Sequence, residues 1–305
     1  MTGAPPACGK PGVKNRRTRF VCVSDTHNRN VKLPKGDVLI HAGDISNLGT
    51  YEELEKMVAW MEKADFECKI VIGGNHDISL DRDFSNHHLA PKSRPPQDPE
   101  MSIALFTSSP SITYLAHTSA TIALTSPSGP RTTFKVFGSP SSAARPGVPS
   151  YFSAFQYSYG PEGDNKTQGA PSPWDAIPSD TDILITHTPP LAHVDRTESG
   201  HHVGCPSLRR ALRRVRPRLA VCGHVHAARG AEHVTWGASE AEDAVETWTD
   251  PAPVGGKNCL VDLRGRGAGE TCVVNCAVTT ERDPAGGHRG LNKPIVVDAE
   301  LPVWE

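Results

Sequence analysis

The 305-residue chain is 37% hydrophobic and 22% charged, the balance of a folded protein with enough length to bury a substantial core. A formal net charge of −2 leaves no global electrostatic footprint for nucleic acid or an anionic membrane surface. No apolar run is long enough to span a bilayer, and the opening MTGAPPACGKPGVKNRR lacks the apolar core of a secretion signal, so a cytoplasmic protein is the default expectation. Eight cysteines form no C-x-x-C pair and are read as small buried hydrophobes.

Residues 1–15 are rich in Pro and Gly and read as a disordered leader, leaving 16–305 as a single domain. Three apolar runs follow, RFVCVSD (19–25), DVLIHAGD (37–44) and CKIVIGGNHD (68–77). Between the second and third, Leu54, Met57, Val58 and Met61 recur at helical spacing, with Thr50 and Glu53 placed as a capping box. Strand, strand, helix, strand is the start of an α/β layered domain with parallel strands. The runs 111–117, 120–125 and 131–139 alternate and predict an antiparallel meander. Residues 140–180 form a long Pro/Ser/Gly loop studded with aromatics, expected to dock on the domain, with Phe155, Tyr157 and Tyr159 as candidates to stack on a flat ligand. TDILITHTPP (181–190) and RLAVCGHVH (218–226) predict strands around an Arg-rich helix at 206–216, read as a solvated helix face. An irregular acidic excursion is expected over 227–257, then closing strands in CLVDL, TCVVNCAV and KPIVVD.

Five short motifs stand where an apolar strand ends: SDTH with Asp25 and His27, HAGD with Asp44, GGNHD with Asn75, His76 and Asp77, ITHTPP with His187, and CGHVH with His224 and His226. Ligands bind beyond the carboxyl ends of strands in α/β sheets, so all five converge on one sheet edge. Two carboxylates, four imidazoles and an amide, with no thiolate, suit Mn²⁺, Fe²⁺ or Zn²⁺ better than Mg²⁺. Seven ligands exceed what one ion with an open position needs and fit two ions sharing a bridge, for which Asp44 has the two-oxygen head.

In this order and without substitution the motifs resemble those of the calcineurin-like metallophosphoesterases, D-x-H, G-D, G-N-H-[DE], H, G-H-x-H, from about Arg19 to His226. FGSP (137–140), GCPSL and NCAVTTERDPAGGHRGLNKPIVVD resemble the branch of class III cyclic-nucleotide phosphodiesterases and brain metallophosphoesterase-domain proteins. The resemblance implies a four-layer αββα sandwich of two mixed sheets flanked by helices, with a dimetal site at the C-terminal strand ends. It implies one ion on Asp25, His27, Asp44 and His226, and another on Asp44, Asn75, His187 and His224. It further implies a phosphodiesterase or phosphomonoesterase in which a metal-bridging hydroxide attacks phosphorus in line. His76 is the expected general acid, with Asp77 holding its imidazole. Asn75, His76 and His202 are expected substrate contacts, His202 because it precedes GCPSL; His87, His88 and His201 are read as exposed loop residues. The expected partner is a small phosphoester, nucleotides included, with no nucleic acid or membrane. A catalytically weak nucleotide-binding or scaffold protein is the competing reading, disfavoured because no motif residue is lost.

Overall fold

The computed structural model describes residues 14–86, 96–143, 153–157, 172–248, 259–267, 269–280 and 290–304. In chain order the first half contains β1 (Asn15–Val23), β2 (Val38–Ala42), α1 (Tyr51–Glu62), β3 (Cys68–Ile72), α2 (Arg82–Asn86), α3 (Pro99–Thr107), β4 (Ile112–Tyr114), β5 (Thr118–Ala123) and β6 (Thr133–Ser139). The second half contains β7 (Ser142–Ala143), β8 (Gln156–Tyr157), β9 (Ile183–Thr186), α4 (Pro206–Val215), β10 (Leu219–Cys222), β11 (Gly230–Thr235), β12 (Ala244–Trp248), β13 (Cys259–Asp262), β14 (Glu270–Asn275) and β15 (Ile295–Pro302).

Two mixed sheets carry the fold. The first has six strands in the order β13-β15-β1-β2-β3-β4, and the second seven in the order β12-β11-β14-β10-β9-β6-β5. Strands β1 to β4 run parallel, as do β6, β9, β10 and β14. The pleat assigns each face. In β1, Phe20 and Cys22 point into the core between the sheets, where Val38, Ile40, Ile70 and Ile72 meet Phe134, Val136, Ile183, Ile185 and Val221. Val21 and Val23 point outward and pack with Leu39 and Val71 against Leu54, Met57 and Met61 of α1 and Phe106 of α3. On the far side, Leu184, Ala220 and Val273 pack against Leu208, Ala211, Leu212 and Val215 of α4. Helices, sheet, sheet and helix make the four-layer αββα sandwich.

Local signals place several elements as expected. Thr50 Oγ1 accepts from the Glu53 amide and the Glu53 carboxylate accepts from the Thr50 amide, the reciprocal capping box of α1. α4 starts with Pro206 at its first turn and stops at Arg216, which is left-handed before Pro217.

Three expectations are corrected. Asn15 is not in a leader but pairs with Pro302 at the start of β1; residues 1–13 lie outside the described residues. The 111–139 region is no meander: β4 joins the first sheet parallel to β3, while β5 and β6 form a hairpin in the second. A three-residue strand beside another alternating run gives no sequence cue to its sheet. Of the stretch expected to be irregular, 227–248 is not, because β11 pairs antiparallel with both β14 and β12, while 249–257 lie outside the described residues. All of β12 but its last residue is exposed, so the apolar alternation that marks a strand is missing. The acidic turn of this hairpin has a job: Asp243 pairs with Arg213, and Arg209 lies 3.5 Å from Glu240 and 3.8 Å from Asp243. Arg214 donates to the Trp174 and Ile177 carbonyls. Two of the five arginines over 206–216, Arg209 and Arg213, thus pair with the acidic excursion.

Candidate metal centre

The motif residues follow the C-terminal ends of β1, β2 and β3 in one sheet and of β9 and β10 in the other. The two sheets are tied at this edge: the Ser24 amide donates to the Cys276 carbonyl at 3.2 Å, and the Val278 amide to the Ser24 carbonyl at 3.0 Å. Thr279 Oγ1 donates to the Asp25 carbonyl at 2.5 Å. Asp25, His27, Asp44 and His224 all sit at positive φ, between 46° and 69°. Such a backbone is costly for non-glycine residues and concentrates where side chains must be aimed at a function. It reverses the chain as each strand ends and turns four side chains into one space.

Two clusters result. Asp25, His27 and His226 bring ligand atoms within 4.8 Å of one another, and so do Asp44, His187 and His224. In the first, His226 Nε2 is 3.3 Å from Asp25 Oδ1. In the second, His187 Nε2 is 3.3 Å from Asp44 Oδ1, 3.2 Å from His224 Nδ1 and 3.0 Å from Asn75 Oδ1. Asp44 lies between the clusters, because its other oxygen is 3.8 Å from His27 Nε2. His224 and His226, one residue apart, go to different clusters: extended backbone at Val225 sends alternate side chains opposite ways.

The donor set fits two divalent cations. His187 Nδ1 contacts the Ala42 carbonyl at 2.9 Å and His27 Nδ1 the Ser46 carbonyl at 3.2 Å. Each carbonyl can only accept, so Nδ1 carries a proton and Nε2 is the nitrogen left to face a cation, which would take the place of any proton there, the usual way a histidine ligand is oriented. Asp25 and Asp44 are almost wholly buried, which a carboxylate tolerates only beside compensating charge. Burial pushes the Asp25 carboxyl up, but the His226 hydrogen bond and the nearby His187 outweigh it and hold it at about 2. Asp44 is likewise held well below the usual carboxylate range by His187 against the pull of burial. In turn, burial lowers His187 but Asp44 and Asp25 raise it to about 9. The cleft is cut to the ligands as well. A Cβ on Gly74 would stand 2.4 Å from Asp44 Oδ1, and one on Gly223 would stand 2.3 Å from Asp25 Oδ2.

His76 sits partly exposed at the mouth, its amide donating to Asp44 Oδ1 at 2.9 Å. Its ring meets His27 edge-on at 4.9 Å. Asp77 does not hold it. The Asp77 carboxylate is fully buried and accepts from the amides of Ile45, Ser46 and Gly74 and from Ser46 Oγ, at 2.6–3.1 Å. It braces the Asp44 loop against the Asn75 loop. Burial and the neighbouring Asp44 push its carboxyl up to about 6. The group that orients His76 is the Asn47 carbonyl, 2.9 Å from Nδ1.

His202 lies apart from both clusters, on the wall of a cleft that also reaches His226. His87, His88 and Tyr159 lie outside the described residues. Phe155 packs beside Gly73, while Tyr157 contacts Cys205 Sγ at 2.8 Å and accepts from Trp174 Nε1 at 3.0 Å, so these rings brace the fold rather than present a stacking face. This segment also steadies Asn75, whose carbonyl accepts from the Ala154 amide at 2.9 Å. Sequence reasoning missed Asn47, Ala154 and His41. His41 is buried in β2 with Nε2 2.9 Å from Thr26 Oγ1, and burial lowers it to about 4.

An αββα sandwich with paired carboxylate–imidazole clusters at the strand ends of both sheets defines a metallophosphoesterase. The model of the calcineurin-like phosphoesterase family matches residues 18–228, and the chain belongs to that family. It is 36% identical over 224 residues to human metallophosphoesterase domain-containing protein 1, covering 68% of this chain and 60% of that one. It is 34% identical over 232 residues to the Caenorhabditis elegans UPF0046 protein K07C11.7, covering 74% and 68%. It is also 43% identical over 220 residues to a probable rhamnogalacturonate lyase C of Emericella nidulans, covering 72% of this chain but 18% of that protein. The chain thus spans less than two thirds of the first of these relatives and less than a fifth of the third. These likenesses place it in the branch of metallophosphoesterase-domain and UPF0046 proteins. Among the described residues no helix is long and apolar enough to cross a membrane.

Proposed function

We propose that the protein is a phosphoester hydrolase working with two divalent cations, Mn²⁺, Fe²⁺ or Zn²⁺. The observation that carries this reading is Asp44, placed with one oxygen toward each of two carboxylate–imidazole clusters. Two such cations supply, when bound, Lewis-acid polarisation of a phosphoryl group and a nucleophile at neutral pH.

The chain's own residues supply the rest. Asp25, His27 and His226 would hold one cation, and Asn75, His187 and His224 the other, with Asp44 common to both. The Ala42 and Ser46 carbonyls keep His187 and His27 in the tautomer that ligation needs. His76 is anchored through Nδ1 by the Asn47 carbonyl, so Nε2 is left to face substrate at the mouth. There it is placed to hydrogen-bond the phosphoryl group and, when protonated, to pass a proton to the departing oxygen. Monoesters and diesters both fit this arrangement.

The test is a screen with bis-p-nitrophenyl phosphate and p-nitrophenyl phosphate across Mn²⁺, Fe²⁺, Co²⁺ and Zn²⁺. Turnover dependent on added metal is expected. No hydrolysis of either ester with any of the four would favour a nucleotide-binding or scaffold protein instead. His76→Ala should keep both cations yet lose more turnover on an alkyl phosphate than on a p-nitrophenyl ester, whose leaving group hardly needs a proton. Equal losses would remove the general-acid role.

A further inference from the structure

The His76 ring is oriented by the Asn47 carbonyl, 2.9 Å from Nδ1, and Asn47 stands with Leu48 on an exposed stretch of the loop between β2 and α1. A stretch with so little of its own buried needs an anchor to hold anything else in place. Glu53, half-buried in the first turn of α1, is that anchor. Its Oε2 accepts from the Leu48 amide at 2.8 Å and from the Thr50 amide at 3.4 Å, and its Oε1 accepts from Asn28 Nδ2 at 2.6 Å. The capping box accounts only for the longest of the three. The two shorter bonds join the loops on either side of His76, because Leu48 follows Asn47 and Asn28 follows His27. Asn47 Nδ2 ties the same loops together by donating to the His27 carbonyl at 3.2 Å. The Leu48 amide and the Asn47 carbonyl belong to one planar trans peptide unit and point opposite ways. Glu53 fixes the N–H of that unit on one side, and so fixes its carbonyl toward His76 on the other.

We infer that Glu53 is a positioning residue for His76, acting through the Asn47–Leu48 peptide. This rests on the phosphoesterase reading above, with His76 as its proton donor. The relay runs from the Glu53 carboxylate to the Leu48 N–H, across the peptide to the Asn47 carbonyl, and on to Nδ1 of His76. A carboxylate bonded straight to the imidazole would do the same work with one residue. Asp77 is not free for it, because the amides of Ile45, Ser46 and Gly74 and the Ser46 hydroxyl already engage both of its oxygens. Through Asn28 the same Glu53 carboxylate steadies the loop of His27, whose ring the His76 ring meets edge-on. Removing the carboxylate releases the peptide to rotate, and the His76 ring with it. The other half of the cap, Thr50 Oγ1 accepting from the Glu53 amide at 3.3 Å, does not depend on the Glu53 side chain. Capping of α1 and orientation of His76 are therefore separable by substitution.

The experiment sets Glu53→Ala and Glu53→Gln beside Thr50→Ala, all in the full chain. Thr50→Ala removes the other half of the capping box and loosens α1 without touching the Leu48 amide. The first readout is the His76 tautomer in the metal-free protein, from long-range proton–nitrogen spectra of the imidazoles at mildly alkaline pH. The His76 signals are assigned by their loss in His76→Ala. Wild type and Thr50→Ala should show the Nδ1–H form, and Glu53→Ala a mixture of both tautomers. The second readout is turnover at saturating Mn²⁺. Glu53→Ala should lose kcat on n-propyl phosphate on the order of 10–100-fold, with KM little changed, and much less on p-nitrophenyl phosphate. Glu53→Gln keeps an oxygen for the Leu48 amide and offers its NH₂ to a turned Asn28 amide, so it should restore most of both readouts. In a His76→Ala background, Glu53→Ala should cost little more. An unchanged His76 tautomer in Glu53→Ala overturns the inference, as does a loss equal on the two esters or matched by Thr50→Ala. A wild type inert toward bis-p-nitrophenyl phosphate, or a His76→Ala that loses equally on the two esters, defeats instead the reading beneath it.

Discussion

The two sheets bring different chemistry to the same edge. The first contributes Asp25, His27, Asp44 and Asn75, and with them every carboxylate and amide of the centre. The second contributes imidazoles alone, His187, His224 and His226. Each cluster draws on both: Asp25 and His27 need His226, and Asp44 needs His187 and His224. Neither sheet could hold a cation pair by itself. The packing between the sheets, elsewhere a matter of stability, is here what sets ligand geometry. The division also suits the electrostatics, because the buried acids lie opposite the histidines that hold Asp25 and Asp44 ionised.

Asp44→Ala should break this arrangement most severely, since Asp44 faces both clusters. Turnover is expected to fall on the order of 10³-fold or more, with both cations lost from the purified protein by elemental analysis. Retention of two cations would show that Asp44 is no bridge. A pair of core substitutions sharpens the point. Phe134→Ala empties the space between the sheets, where Phe134 meets Phe20 edge-on at 5.5 Å, and should cost about 3–5 kcal/mol. Leu212→Ala empties the space under α4 and should cost about 2–5 kcal/mol. Mn²⁺ affinity well below the melting temperature should drop for the first and hold for the second; equal effects would mean that inter-sheet packing has no special role. Asp77→Asn touches no expected cation but loosens the brace between the Asp44 and Asn75 loops. It should weaken Mn²⁺ binding by about 10–100-fold in a calorimetric titration.

The smallest effect concerns His41, just behind the centre. Burial keeps it neutral, at about 4 against an ordinary 6.5. A histidine lowered on folding contributes stability above its unfolded value and loses it as pH falls through the folded one. Urea melts should therefore show stability declining between pH 6.5 and pH 4, by up to a few kcal/mol. His41→Leu should flatten that limb, and bound cations push in the same direction. A limb unchanged in the variant would assign the acid loss to other groups.

The centre was legible because its strands are short unbroken apolar runs, each ending in a residue type that binds metal. The layers were legible from the same runs and from the spacing of Leu54, Met57, Val58 and Met61. What was not legible rests on partners that carry no side-chain signature. His76 is oriented by the Asn47 backbone carbonyl, and not by the carboxylate of Asp77 beside it in the sequence. β12 is nearly all exposed and becomes a strand through its pairing with β11. Asp195 gives no signal in HVDRTES, because its partners are the amides of Ala192 and Gly204 and a histidine seven residues on, His202.

The central claim is that each cation is shared between the sheets, with His224 and His226 divided between them. Calorimetric Mn²⁺ titration of wild type, His226→Ala and His224→Ala tests it directly. Wild type should show two sites. His226→Ala should weaken the Asp25–His27 site while the Asp44–His187 site persists, and His224→Ala should do the reverse. Loss of the same site in both variants would contradict the account, because the two histidines would then serve one ion.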